Sequence, residues 1–482
     1  MSAIITENFR RNNTRLFLND ISAQTNGKYY LGIGKQDPWP DTLVPGTPPT
    51  FIDEENISFS PPVAVGTQAD ALEVLNNLST LVSLNSLTGV GRVIPAVAWK
   101  SGNVYQAYSS YNSAPFYPSS TLQPCYVTIS GAIFLCLKTG PDLLTGSTVV
   151  PFVQSPSKYA PFTLSDGYIW VLVQEAPTQQ IVRNNTFTDI RATKLTGTEE
   201  TNSTTQCGGV VTGFTIVSGG SGYTNSGTTP SVLKLRVNDG FTSTDRSSTS
   251  VTLEYTVNEL TGAIATVSFP DGWPAYSATP GAAIGALFAS IEFTGSGSRA
   301  TIVPTIAPAK GFAYDPSAVM PSWFAAIAIS LQDDLSGDNF YSRYRQISIV
   351  KNPTVEAGQE SAGTLNALKY INFPDTTDVN SLAVGINSSD LKNAAGDVIG
   401  YADKLITTSP KKLYFHQNLS SGYRELPQSG SIEVGSTPYV YTSINNGEFI
   451  NDGNAEVLFT ENRSFITRTS GQTEDLILII QF

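Results

Sequence analysis

The sequence predicts a mainly β protein, with a multi-layer β-sandwich core, a few helices in flanking loops and inserted β-rich domains. One observation is composition: 40 Gly and 29 Pro stand beside abundant Thr, Val and Tyr, while charged residues make up only 14%. Many faces must then be covered by Ser, Thr, Asn and Gly, a profile common in all-β extracellular or virion proteins and shared by cytosolic β proteins. The second is the stretch Tyr344 to Pro353, in which Ile347 and Ile349 alternate with Tyr344, Gln346 and Ser348 before Asn352-Pro353 stops it. Period-two alternation with a terminating Asn-Pro predicts a strand with one buried face. The third is Leu476 to Ile480, a continuous apolar run near the C-terminus. It is too short for a membrane span and predicts a strand covered on both faces, which calls for layers above and below it.

Length and charge limit the functional classes. With 482 residues the chain exceeds one ordinary core, and about two to four domains are expected. A net charge of -12 argues against nucleic acid as a partner, because phosphate binding needs clustered Lys and Arg. Arg10-Arg11 and Lys411-Lys412 read as pairs of solvated surface charges. Cys125, Cys136 and Cys207 are odd in number and lie in apolar or Gly-rich contexts, which favours buried thiols over a disulfide framework and assembly in a reducing compartment. The N-terminal residues lack a secretory pattern, and the longest apolar window, near 318–331, contains Pro321. Neither export by that route nor membrane insertion is expected.

Along the chain, Thr6 is placed to cap a helix carrying Phe9, Leu16, Phe17 and Ile21, ended by Asn26-Gly27. A strand is expected over 28–34, then a turn at Gln36-Asp37-Pro38-Trp39-Pro40 with Trp39 as a packing anchor. A proline-rich loop runs to about residue 62. Leu72, Leu75, Leu78, Leu81 and Val82 predict an amphipathic helix over 68–84. Val93-Ile94-Pro95 and Trp99 follow, then strands broken by turns from 104 to 175. Residues 1–195, 310–355 and 456–482 are expected to form a discontinuous core. Residues 196–309, rich in Gly, Ser and Thr, read as one inserted β domain, and 356–455 as a second β-rich insertion. Within the latter a helix is expected near 389–395 and strands near 413–416, 431–434 and 439–443. Ser218-Gly219-Gly220-Ser221-Gly222-Tyr223 follows a strand but precedes no helix pattern and lacks a Gly-Lys-Ser/Thr, so a β-turn with positive-φ glycines is the reading.

Residues suited to catalysis are sparse. A single histidine, His416, would have to serve every Ser-His-Asp, Cys-His or His-rich metal arrangement, and no Gly-x-Ser-x-Gly elbow accompanies it. In Tyr414-Phe415-His416-Gln417 it is expected to be a hydrogen-bonded structural residue. Asp333-Asp334, Glu54-Glu55 and Glu199-Glu200 are the carboxylate pairs a glycosidase could use, but all three fall in expected loops or helix ends. No catalytic residue, cofactor or metal ligand is assigned.

Several segments, in order, resemble the baseplate wedge subunit of T-even-type contractile-tailed bacteriophages. They are Trp39 in its turn; Val93-Ile94-Pro95 with Trp99; Asn112 to Pro115; Asp166-Gly167-Tyr168-Ile169-Trp170; Arg345-Gln346-Ile347-Ser348-Ile349 with Asn352-Pro353; and Glu461-Asn462-Arg463 leading to the apolar C-terminus. The N-terminal helix and the strand after it also fit, so a little over half the chain is covered. The resemblance implies a virion structural protein, assembled in the bacterial cytoplasm and placed in the tail baseplate. It implies a homodimer of layered β-sandwich subunits that contacts neighbouring wedge proteins and tail fibre components, with no cofactor and no catalytic residues. The chain departs from the pattern at about 195–310 and 356–455, where it is much longer. Two other classes stay open: a tail-associated glycan- or receptor-binding module, motivated by the insertions, and a polysaccharide-degrading enzyme, motivated only by the carboxylate pairs.

Overall fold

The computed structural model describes residues 5–482 except 25–26, 40–59, 65, 85–88, 112–113, 141–144, 153–157, 178–180, 183–185, 226–229, 240–248, 270–285, 333–342, 359–362, 383, 385–389, 419–420, 424–425, 451–453 and 468–472. Of the described residues, strand accounts for 45% and helix for 12%, and the sheets are antiparallel, so the class is mainly β. The chain divides into two compact units. One comprises Met1–Arg15, Gly91–Ala326 and Ile479–Phe482; the other comprises Leu16–Val90 and Ile327–Leu478. Segment 196–309 lies wholly in the first and 356–455 wholly in the second.

In the second unit Tyr29–Gly34 is the middle of a five-stranded sheet, flanked by Leu78–Leu84 and Arg343–Lys351, with Thr364–Asn366 and Glu456–Thr467 outermost. Its register sets Leu31 opposite Ile349 and Ile33 opposite Ile347. Gly32 allows this close approach, since a Cβ there would lie 2.6 Å from both the Leu78 and Ser348 side chains. Every residue from Tyr344 to Val350 is buried, which corrects the expectation of one buried face. The polar side is enclosed because its groups find partners: the Tyr344 hydroxyl donates to Glu474 Oε1 at 2.9 Å and Gln346 Nε2 to Asn462 Oδ1 at 2.8 Å.

The opposite correction applies to Thr473–Gln481. It is the edge of a four-stranded sheet, followed in order by Phe324–Gln332, Val90–Pro95 and Phe187–Asp189. Leu476 and Leu478 are buried, while Ile477, Ile479 and Ile480 are only partly so. At a sheet edge the pleat still buries alternate residues most deeply, however apolar the run between them.

Two expected helices are shorter or absent. Thr67 and Asp70 form a capping box that starts Gln68–Asn76, but the chain then turns into the strand Leu78–Leu84. The apolar spacing suits both forms; Ser79-Thr80-Leu81-Val82-Ser83 favours a strand, and pairing with Tyr29–Gly34 decides it. Near 389–395 the described part is the strand Asp390–Lys392 and a turn in which Asn393 Oδ1 accepts from the Ala395 and Asp397 amides. That side-chain geometry competes successfully with a helix. The strands expected nearby form as Lys412–His416, Gly430–Val434, Thr437–Tyr441 and Ser443–Asn445, within a seven-stranded sheet. This sheet has its own core around Leu391, Leu413, Phe415 and Ile432.

The N-terminal helix, Glu7–Ala23, is capped as expected, with Thr6 Oγ1 accepting from the Phe9 amide at 3.2 Å. It ends before the expected Asn26-Gly27 stop, and residues 25–26 lie outside the described residues. Phe9 and Leu16 are exposed, and Leu18 and Ile21 supply its apolar buried positions. Arg11 is not the solvated charge expected of it: its guanidinium lies over Trp323, 5.6 Å from the ring centroid, and its Nε donates to the Met320 carbonyl at 3.1 Å. Lys411 is likewise engaged, its Nζ donating to the Asp375 and Thr377 carbonyls at 2.7 Å each.

The first unit is built around the sheet Tyr126–Ile129, Ala132–Lys138, Ile169–Gln174 and Phe162–Thr163. Both faces are covered. Ile133, Leu135, Val171 and Val173 enter one apolar cluster, and Phe134, Cys136, Trp170 and Leu172 another. All three cysteines are free and buried. Beyond the helix Gly197–Cys207, the strands Val211–Ser221 and Ser298–Ile306 pair so that Val211 faces Ile306. Between them a separate core forms around Leu233, Leu235, Leu253 and Ile264. The Gly-rich stretch is the end of Val211–Ser221 and a turn, with Gly220 and Gly222 at positive φ.

Candidate functional site

Among the described residues, the cluster of titratable side chains with the most defined geometry lies in the second unit, around His416. This residue closes the strand Lys412–His416 and pairs in register with Tyr401 of Val398–Ile406. The register shifts between Ala402 and Lys404, so Asp403 is an extra residue in its strand, and such a bulge re-aims a side chain. Asp403 Oδ1 lies 2.8 Å from His416 Nδ1. On the other ring nitrogen, Asp37 Oδ1 lies 2.8 Å from Nε2. Asn418 Nδ2 donates to Asp37 Oδ2 at 2.8 Å, and the Tyr401 ring stacks on the imidazole, centroids 5.5 Å apart.

Asp37 is held by its neighbours in the chain. Lys35 adopts φ of 61° as the strand Tyr29–Gly34 ends, and its amide donates to the Asn77 carbonyl at 2.9 Å. Arg345 donates to the Gln36 carbonyl. Trp39 is the expected anchor: it is buried, its Nε1 donates to the Arg463 carbonyl at 2.9 Å, and Lys35 Nζ lies 4.8 Å from its ring centroid. The turn is therefore pinned on both sides of Asp37.

With a carboxylate on each nitrogen, the imidazole is an imidazolium donating two charge-assisted bonds. Burial works against its charge most strongly, but the Asp403 charge and the bonds to Asp37 and Asp403 outweigh it and push the pKa up to about 10. Burial likewise opposes the Asp37 charge; the His416 bond and charge, the Asn418 bond and Lys35 bring that carboxyl down to about 2. An imidazolium so held has no lone pair to accept a proton or bind a metal at neutral pH. His416 ties the turn at Asp37 to the bulge at Asp403, the hydrogen-bonded structural role expected of it.

The segments that carry the family resemblance gather into two packed networks, one in each unit. In the second, Arg345, Gln346, Ile347 and Ile349 are buried in Arg343–Lys351, and Gln346 bonds Asn462. Asn462 Nδ2 also donates to the Pro62 carbonyl at 2.9 Å, while Glu461 and Arg463 form a surface ion pair at 3.4 Å. Asn352, at φ of 51°, accepts from the Lys28 amide through Oδ1 at 3.0 Å just before Pro353 ends the segment. In the first unit, Val93 and Ile94 are fully buried and the Pro95 carbonyl accepts from the Tyr126 hydroxyl at 2.8 Å. Trp99 Nε1 donates to Ser147 Oγ at 3.2 Å, which donates to Asp166 Oδ2 at 3.0 Å. Asp166 also accepts from the Thr148, Val149 and Tyr168 amides, with Gly167 at positive φ between. Tyr168 stacks on the buried Trp170. The Pro115 carbonyl accepts from the Cys125 amide at 2.7 Å; Asn112 lies outside the described residues.

The carboxylate pairs do not converge. Glu199 and Glu200 share the first turn of Gly197–Cys207 but meet different lysines, Lys158 at 3.4 Å and Lys310 at 2.5 Å. Asp333-Asp334 and Glu54-Glu55 lie outside the described residues. Among the described residues no group of three or more His, Cys, Asp or Glu is placed to hold a metal ion, and no helix is long and apolar enough to cross a membrane. Sequence reasoning missed Asp37 and Asp403 as partners of His416. The Asp-Pro turn was visible, but nothing in the sequence marks the bulge. A scan against protein-family models finds no match, and a search of curated proteins finds none.

Proposed function

We propose that this chain is a structural subunit of a contractile-tail baseplate wedge, working through protein–protein contacts as a homodimer and without a cofactor or catalytic centre. The observation that carries the reading is that the segments resembling the wedge family are packing and turn-forming residues. In one unit Trp39, Arg345 and Gln346 bond backbone carbonyls or Asn462, and in the other Trp99 and Asp166 share the Ser147 hydroxyl near the buried Trp170, as residues specifying a scaffold do. The enclosed His416 fits the same reading. Low charge with much Ser, Thr and Asn suits surfaces that partners cover in a permanent assembly. The insertions would extend the wedge toward neighbouring tail proteins or fibres. The test is sedimentation of the purified chain followed by its capture from lysates of infected cells: a dimer that brings down other tail proteins is expected, and a monomer that recovers none refutes the reading.

A glycan- or receptor-binding module is the second reading, favoured by one feature of segment 196–309. An open depression of about 410 Å³ is lined by Glu254, Tyr255, Thr256, Thr266 and Ser268. The Tyr255 hydroxyl is tied to the Thr224 and Ser231 carbonyls at 2.8 and 2.6 Å, so its ring is fixed. A glycan array separates the two, since a wedge subunit should bind none.

A further inference from the structure

The strand Thr473–Gln481 lies at one end of its four-stranded sheet, and among the described residues no strand pairs with its outer side. From Leu476 to Ile480 it is continuously aliphatic, with no Gly, Pro or charge. Leu476 and Leu478 are buried, whereas Ile477, Ile479 and Ile480 keep part of their surface exposed. Unpaired backbone groups flanked by aliphatic side chains are a template for another strand, and folded proteins ordinarily blunt such an edge. Other edges of this chain are blunted. The far edge of the same sheet, Phe187–Asp189, is 3 residues long. Glu456–Thr467, outermost in the five-stranded sheet, shifts register twice against its neighbour and carries Glu461 and Arg463. Thr437–Tyr441, at one end of the seven-stranded sheet, contains Pro438. The aliphatic edge at Thr473–Gln481 lacks these devices and calls for a strand to cover it.

The order of its residues selects a second copy of the same strand. Paired antiparallel about a two-fold axis at Leu478, Ile477 faces the partner's Ile479, Leu476 faces the partner's Ile480, and Asp475 faces the partner's Gln481. Each apolar residue then meets an apolar one, and an exposed polar pair closes each end. The acidic residues fix the direction. Both lie at the start of the strand, where Glu474 Oε1 accepts from the Tyr344 hydroxyl at 2.9 Å and Asp475 is exposed. In a parallel, in-register pair the two Asp475 carboxylates would be neighbours and would repel. The antiparallel pair sets them ~20 Å apart along the strand, well beyond the ~8 Å screening length at physiological salt.

We propose that Thr473–Gln481 is the interface of a homodimer, in which the strands of two copies pair antiparallel about Leu478 and join their sheets edge to edge. The homodimer belongs to the reading above, on which this inference rests while naming the surface. Asp475 and Gln481 are both exposed, so they allow a test that leaves the aliphatic run intact. In the full chain carrying Asp475→Cys and Gln481→Cys together, a short thiol crosslinker should yield covalent dimers, because each new thiol lies opposite its complement; the native cysteines are buried. Either single variant alone should not crosslink, and a mixture of the two should. Ile477→Lys places a charge on the pairing strand and should raise the dimer dissociation constant at least about tenfold in sedimentation. If that variant fails to fold, the crosslinking set carries the comparison. A parent dimer that does not crosslink in the double variant overturns this interface and leaves the homodimer standing on another surface. Crosslinking of Asp475→Cys alone means a parallel or shifted pairing and overturns it too. A monomeric parent overturns both the interface and the homodimer. A dimer crosslinked as expected that recovers no tail protein from infected lysates would support this interface and count against the wedge reading alone.

Discussion

His416 shows how a lone histidine can be read from its surroundings. Its pKa is raised from 6.5 to about 10, so its contribution to stability is complete below the unfolded value and is lost as pH rises toward 10. Asp37 is lowered from 3.8 to about 2, so its contribution is present above 3.8 and is lost as pH falls toward 2. The Asp37–His416–Asp403 tie is therefore strongest between these limits, from about pH 4 to 6.5. Melting temperature should fall from about pH 6.5 to 9.5 more steeply in the parent than in His416→Gln. A parallel pair of profiles would show that the imidazolium does not hold the turn. His416→Ala leaves two enclosed carboxylates without their cation and should cost about 3–5 kcal/mol, measured by denaturant unfolding. Asp37→Asn, which keeps a hydrogen-bond acceptor, should cost less.

The two strands most visible in the sequence exchange roles. Arg343–Lys351 carries polar residues yet is buried from Tyr344 to Val350, because Glu474 and Asn462 satisfy Tyr344 and Gln346. Thr473–Gln481 holds the most apolar run yet lies at an edge. Hydrophobic patterning reports how often a face meets apolar neighbours, not where in the sheet order a strand falls. Ile349→Ala should accordingly cost about 2–5 kcal/mol in denaturant unfolding. Truncation after Gln472 removes two buried leucines worth about 1.5–3 kcal/mol each. It should leave a folded but association-prone protein whose neighbouring strand edge is uncovered, which light scattering and thermal unfolding would register. Unfolding of the whole chain on truncation would restore this strand to the centre of the core.

Strands and turns were legible where alternation, glycine turns and Asn-Pro stops act locally, as at Tyr29–Gly34, Ile169–Gln174 and Asn352-Pro353. Over 68–84 the leucines fit helix and strand alike, and only the partner strand Tyr29–Gly34 decides where one gives way to the other. For the site, His416 and the turn at Asp37 were visible separately. Their meeting depends on residues 379 positions apart and on a bulge that no local pattern encodes.

For the chain as a whole, segment 196–309 offers a clean dissection. The Ala307 amide donates to the Val210 carbonyl at 2.8 Å, and the Gly209 amide to the Pro308 carbonyl at 3.0 Å, so the chain leaves and returns at one place. The preceding helix belongs to the main core of its unit, since Cys207 and Ala307 pack in it. Excising 211–306 and bridging 210 to 307 with a short Gly-Ser linker should leave a folded remainder of the same oligomeric state. Cooperative loss of structure across the chain in calorimetry would show that the segment is not independent.

A scaffold role in a baseplate wedge can be put to cryo-electron microscopy of contractile tails assembled with and without this chain. With it, paired copies of the chain should appear as density within each baseplate wedge, and without it the baseplate should be incomplete. Complete baseplates formed in its absence, or density confined to fibre tips, would be incompatible with that role.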